Sequence, residues 1–405
     1  MTILVLVVFK YTNFFINNVN HVLARLGTTQ MEQANIILPI GLSFIIFQAC
    51  TYLGDVHKGN IQAEKNFIRY AAFVAFFPTV LSGPIQKARD LLPQIQKPAD
   101  FDLDEAKKGT LLFVWGLFEK ILVADRLLNI VNTIYSDYEI YRSSFLIVAG
   151  ICFSLYIYAD FSAYSDMARG VSKIMGIKIN KNFDNPYLST SMAEFWQRWH
   201  VSLNDWFVEY IYIPLGGNRK GTIRKYINIF IVFLISGLWH GAQYHFLAWG
   251  ILNGLLVIIG HVVRPIKSKI YKKLNIDENL ESIIFVRRAI VFWIITLTWV
   301  FFNNGINESI YIVKNMMFFK LTHFFNHNLM CIGDTEVGIF LTFIMTALFS
   351  IVQVKRQDET GLFAKYNRQP FLFQILIVAI IICSCIFGVC LTDASVNSQF
   401  LYFNF

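Results

Sequence analysis

Two histidines stand where a histidine is costly. His240 lies beside Gly241 at a break between two apolar runs, and His200 lies where the aromatic and polar sides of the 193–215 segment meet. An ionisable group at membrane depth must be hydrogen-bonded or line a wet cavity, so such groups are candidates for function by default. The structural alternatives are a turn histidine at headgroup level beside an interfacial Trp239, and a satisfied histidine on an interfacial helix. A third constellation runs from Tyr158 to Arg169. There Ser162, Asp166 and Arg169 share a helical face, so Asp166 and Arg169 are expected to form a structural ion pair. Asp160 and Tyr164 fall on another face and are freer to line a cavity.

The chemistry open to these groups is narrow. The sequence has no Gly-rich phosphate loop, no G-x-S-x-G elbow, no H-E-x-x-H and no cysteine with a histidine at a familiar spacing. Histidine as a general base, with hydrogen-bond donors for a developing oxyanion, suffices to move an acyl group from an activated carrier to an alcohol. Acyl transfer is the simplest reaction this set can perform.

The elements that must position these residues are membrane helices. Of 405 residues 55% are hydrophobic, 16% aromatic and only 15% charged, with a mean hydropathy of +0.49. So apolar a chain is not disordered, and 23 Gly and 9 Pro without period exclude a collagenous repeat. Six cysteines at scattered positions, Cys331 alone and the rest in apolar runs, suggest neither a disulfide framework nor a zinc site. The net charge of +8 arises from short clusters between apolar runs. It marks cytoplasmic loops, not nucleic acid.

Apolar runs fall at 36–53, 67–81, 110–124, 145–159, 227–239, 246–263, 284–302, 337–352 and 371–391. A span needs about 20 residues, so several runs are expected to be tilted, re-entrant or covered by protein. The fold class expected is an all-α polytopic bundle of about nine to eleven helices, in one domain covering 1–405. Residues 1–9 are apolar but too short to span, and read as the tail of a helix. Arg219, Lys220, Arg224 and Lys225 precede the 227–239 run, and Arg264, Lys267, Lys269, Lys272 and Lys273 follow the 246–263 run. If both clusters are cytoplasmic, the two runs form a hairpin whose turn, 239–245, carries His240 deep and toward the far side. On a helical wheel, 193–215 reads as one amphipathic helix, stopped by Pro214, Gly216 and Gly217. Ser82-Gly83-Pro84 reads as a helix break.

Six segments together carry a resemblance. They are 38–44 (LPIGLSF), 76–78 with 82–85 (FFP, SGPI), 160–168 (DFSAYSDMA), 194–203 (EFWQRWHVSL), 212–219 (YIPLGGNR) and 237–242 (GLWHGA). In order and content the sequence resembles the membrane-bound O-acyltransferase family. Within it the likeness is to the bacterial branch that O-acetylates alginate, peptidoglycan and related polymers, and the closing 400–405 (FLYFNF) is similar to that branch's C-terminus.

The resemblance implies a helical bundle in the plasma membrane around a tunnel. The acyl donor, acetyl-coenzyme A, would enter from the cytoplasmic side, with no bound cofactor or metal. It implies that His240 matches the family's catalytic histidine and His200 its second histidine. Asp160, Tyr164, Trp196, Trp199 and Trp239 are then the candidates to line the substrate tunnel. Implied partners are the lipid bilayer, an exported glycan as acceptor and a periplasmic or extracellular acetyltransferase protein. The sequence departs from the branch in two places: its members usually begin with additional helices before the segment matching 5–17, and Val208-Glu209 replaces a basic-acidic pair. D-alanyl transfer to teichoic acid is the nearest enzymatic alternative. A transporter or lipid flippase is the alternative from another class.

Overall fold

The computed structural model describes residues 2–97, 100–141, 143–318, 335–356, 361–390 and 400–401. Cys331, Leu391 and residues 402–405 lie outside them. In chain order the α-helices are α1 (Thr2–Arg25), α2 (Leu42–His57), α3 (Phe67–Val74), α4 (Ala88–Gln96), α5 (Leu103–Phe118), α6 (Asp125–Ser136), α7 (Ser143–Ile174) and α8 (Met192–Arg198). They continue with α9 (Val201–Phe207), α10 (Thr222–His240), α11 (Tyr244–Lys273), α12 (Glu281–Asn303), α13 (Ile306–Met317), α14 (Glu336–Lys355), α15 (Leu362–Asn367) and α16 (Phe371–Cys390). π-helical turns at Glu119–Ala124 and Val208–Tyr212 join α5 to α6 and close α9. Seven helices, α1, α7, α10, α11, α12, α14 and α16, are long and apolar enough to cross a bilayer. The chain is a multi-pass membrane protein.

The trunk is α7, whose 32 residues reach about 48 Å. Unlike the lipid-facing spans it is mostly enclosed by protein, which is why Ser, Asp and Arg are tolerated along it. It packs on α5, α6, α12 and α13. The contact with α5 is backbone-close: a Cβ on Gly109 would lie 2.6 Å from the Gly170 carbonyl oxygen, the small-residue packing that membrane helices use.

Run length alone does not decide which runs give a span: the 227–239 run lies in α10, a candidate span, whereas the longer 36–53 run does not give one. The 67–81 run gives only the eight-residue α3 and then tight turns, and the 36–53 run starts its helix at Leu42. At the amino end the expectation is corrected: residues 2–9 continue through Asn13, Asn17 and Asn18 into a 24-residue helix, because these amides are met by polar partners, Asn13 by the backbone of Ala34 and Asn18 by the Phe14 carbonyl and the Tyr244 hydroxyl. The basic clusters also lie partly within helices, Arg224 and Lys225 opening α10 and Arg264 to Lys273 closing α11. The positive-inside rule assigns these ends to the cytoplasm, together with the end of α14 at Lys355. His240, closing α10, is then at the opposite end.

Candidate active site

The α10–α11 hairpin is held by glycine. A Cβ on Gly237 would lie 2.4 Å from the Phe246 carbonyl oxygen, and one on Gly250 would lie 2.5 Å from the Phe233 carbonyl oxygen. Any other residue there would push the helices apart. The turn after His240 is extended at Gly241, and the hairpin expected from sequence is what forms. The last turn of α10 leaves carbonyls that lipid cannot satisfy. Lys10 donates to the Trp239 carbonyl and Tyr11 to the Leu238 carbonyl, so α1 clamps the turn that carries His240. The Lys10 ammonium also lies 5.9 Å from the Trp239 ring. A cation at the C-terminus of a helix complements its dipole.

The 193–215 segment is not one helix. It breaks at Trp199–His200, where His200 takes the left-handed conformation at φ 46°, ψ 56°. For a residue with a Cβ that conformation costs energy and persists only where the surroundings enforce it. Here the enforcing element is the 182–184 strip, which replaces the lost helical hydrogen bonds. The Asp184 amide donates to the Arg198 carbonyl at 3.0 Å, and the Val201 amide to the Asn182 carbonyl at 2.8 Å. The Asn182 side chain accepts from Ser202 Oγ at 2.6 Å and donates to Ser165 Oγ at 3.1 Å, while Ser202 Oγ accepts from the Ile85 amide at 2.9 Å. The wheel ignored this competing set of partners, and the result is a buried elbow in place of an interfacial helix.

The break and the hairpin aim both histidines into one narrow cavity of about 60 Å³, room for an acetyl-sized group or a few waters, each of which needs about 10–15 Å³. His240 is 4% exposed and His200 3%. Trp196, Trp199, Trp249 and Trp299 form much of the wall, while Asn204 and Ser236 add uncharged polar atoms. The His240 ring lies 4.8 Å from Trp239, 4.9 Å from Phe302 and 5.2 Å from Trp249. The His200 ring meets Phe161 edge-on at 4.6 Å. Among the described residues no cluster of His, Cys, Asp or Glu is arranged to hold a metal ion.

Trp196 and Trp199 line this cavity; Trp239 packs against His240 and faces an apolar recess of about 830 Å³ between α1 and α10. Asp160 and Tyr164 are not brought to it. Asp160 is buried in an ion pair with Lys120 at 2.8 Å and accepts from the Leu401 amide at 2.9 Å, and the Tyr164 ring lies 5.3 Å from Phe400. A cation beside Asp160 on the α5–α6 junction removes the freedom that its helical face had suggested. Asp166 does pair with Arg169, at 3.4 Å, but it also takes Arg356 from α14. Asn204 and Ser236 were legible and missed: each stands four residues from a histidine, one turn away on the same helical face. Trp249 and Trp299 have no local signal, since tertiary packing alone brings α11 and α12 to the site.

On the cytoplasmic side Glu209 receives Arg89 through both guanidinium nitrogens at 2.8 Å, with Lys87 at 2.8 Å and Lys58 at 3.3 Å. Arg89 foremost, then the lysines, holds its carboxyl well below the usual range. The network ties α2 and α4 to the π-helical turn after α9, so the acidic member of the departing Val208-Glu209 pair fastens the elbow.

The fold is a polytopic bundle with two buried histidines on one aromatic-walled cavity. The model of the membrane-bound O-acyltransferase family matches residues 59–305, more than half of the chain, and the chain belongs to that family. It is 35% identical to the "Probable alginate O-acetylase AlgI" of Pseudomonas putida over 76% of this chain and 60% of that protein. To the protein of the same name from Azotobacter vinelandii it is 32% identical over 87% of this chain and 68% of that protein. The peptidoglycan O-acetyltransferase of Helicobacter pylori is 29% identical over 98% of this chain and 79% of its own length. The chain thus spans about 60% of the length of the first of these curated relatives.

Proposed function

We propose that the chain moves an acetyl group from a cytoplasmic thioester, acetyl-coenzyme A, to a hydroxyl of an exported polysaccharide, alginate-like or peptidoglycan, at the plasma membrane. His240 takes the proton from the acceptor hydroxyl as that oxygen attacks the thioester carbonyl. His200 positions His240 or donates to the oxyanion. Collapse of the tetrahedral intermediate breaks the C–S bond, and the leaving thiolate recovers the proton from His240. A secreted acetyltransferase protein on the outer side would take the acetyl group by its own hydroxyl and pass it to the glycan.

The observation that carries this reading is the convergence of His240 and His200, from separate elements, on one buried cavity beside uncharged polar groups. A base and an oxyanion donor need that geometry; a turn histidine at headgroup level does not. The test is transfer of labelled acetyl from donor to glycan in membranes, with the partner protein present. His240→Ala is expected to lose about 10²–10⁴-fold in rate while keeping its melting temperature. Undiminished labelling by a folded His240→Ala protein would sink the assignment.

A further inference from the structure

A second cavity, of about 490 Å³, opens at the cytoplasmic end of the trunk, apart from the histidines. Its wall brings together Lys108 of α5, Arg169 and Lys173 of α7, Lys178 of the following loop and Arg356 after α14. The carboxylates are shared. Glu105 takes Lys108 at 2.6 Å and Lys173 at 2.8 Å, Asp166 takes Arg169 and Arg356, and Glu119 lies 3.9 Å from Arg356. Among the described residues five cations therefore face three carboxylates, an excess of two positive charges. A purely structural cluster would approach neutrality, because unmatched charge in a partly enclosed site is repelled by its neighbours. Here the shared carboxylates fix the cations in place and leave charge over for a guest. The size falls in the range of ligand sites, and the same wall carries the Phe363 ring and the Asn367 amide.

We propose that this cavity binds the phosphate groups of an anionic ligand at the cytoplasmic face. Arg and Lys are the side chains that recognise phosphate, Arg by paired N–H donors and Lys as a point charge. An aromatic ring and an amide beside them suit a nucleotide-bearing ligand. Position agrees: Arg169 follows Phe161, the residue in ring contact with His200, by eight residues, about 12 Å along α7. A donor whose phosphates rest here would carry its acyl group to the histidines on an arm of that length. This last step rests on the proposed acyl transfer; the phosphate site itself does not. The same phosphate chemistry could instead come from a phospholipid headgroup.

The experiment uses the full chain in nanodiscs. Coenzyme A and inorganic pyrophosphate are titrated as probes in phosphatidylcholine discs, and retention of phosphatidylglycerol is measured separately by native mass spectrometry. The Lys173→Gln/Lys178→Gln variant is expected to weaken the binding of both soluble probes by roughly tenfold or more, with a smaller salt dependence. Lys181→Gln, three residues further along the same loop and paired with Asp184, and His240→Ala are expected to bind as wild type does. Binding by His240→Ala separates failure of this site from failure of the catalytic reading. If only phosphatidylglycerol depends on the two lysines, the site stands and its occupant is a lipid headgroup. Wild-type binding by a folded double variant, or no binding of either probe or the lipid to wild type, overturns the proposal. Should the double variant not fold, exposed Lys178→Gln alone is expected to show the same direction of change, and wild-type binding by it overturns the proposal equally.

Discussion

Around His240 and His200 the wall is tryptophan and phenylalanine with two uncharged polar side chains; about 12 Å down the same trunk helix the wall is lysine and arginine held by shared carboxylates. The two cavities place opposite demands on the same helix. Phe161, near the middle of α7, backs His200, while Arg169 and Lys173, toward its end, line the ionic cavity. In the aromatic cavity polar partners are few, so a charge placed there would interact strongly with them. In the ionic cavity, charge is permanent, partly screened and suited to holding an anion reversibly. The aromatic and the ionic cavity are thus separated by about two turns of one helix.

The contrast is broken most severely by moving charge to the wrong end. Ser236→Lys would bury an ammonium one turn from His240, an uncompensated charge worth about 3–5 kcal/mol of destabilisation. A large fall in melting temperature and loss of acetyl transfer are expected; a stable, active Ser236→Lys protein would show that the cavity is wetter than its walls imply. Asn182→Ala strips partners from the buried Ser202 and Ser165 hydroxyls and costs about 1–3 kcal/mol. Because it loosens the left-handed elbow, the rate of transfer is expected to fall while KM for the donor holds, and Asn182→Asp, which keeps the acceptor, restores part of the rate.

Smaller effects sharpen the picture. Lys10→Met removes the cation from the end of α10, a contribution of about 0.3–2 kcal/mol. The expected result is a drop in kcat of severalfold with rescue by Lys10→Arg, read from steady-state transfer. The least effect concerns pH. Hydrogen bonds from Lys108 and Lys173 lower the Glu105 pKa to about 2. A depressed carboxylate stabilises the fold fully above its unfolded value of about 4.3, and that stability is lost as pH falls toward the folded value. Thermal unfolding followed from pH 6 down to pH 3 should show a decline that Glu105→Gln removes.

Much of this arrangement was legible before the fold. The hairpin, with His240 at the end opposite the basic clusters, follows from where Lys and Arg fall, because charge and apolar length are properties of single segments. The elbow at His200 was not legible. Its break depends on Asn182, Asp184 and Ile85, which are distant in sequence, and an unbroken wheel is the natural reading of Ala193 to Leu215 taken alone. Asp160 fails for the same reason: Lys120, forty residues earlier, decides its fate. The ionic cavity was hidden too, since its cations come from four separate segments, and only their convergence distinguishes it from scattered loop charge.

Whether His240 and His200 act as one unit is read most directly from a double-mutant cycle on acetyl transfer, with melting temperatures as the control. Groups that act as a unit are grossly non-additive. The expected result is that His240→Ala and His200→Ala each slow transfer, and that the double variant is slower than His240→Ala alone by less than about tenfold. Losses that multiply in the double variant, or a folded His240→Ala protein that transfers acetyl at the wild-type rate, would contradict a shared role in one cavity.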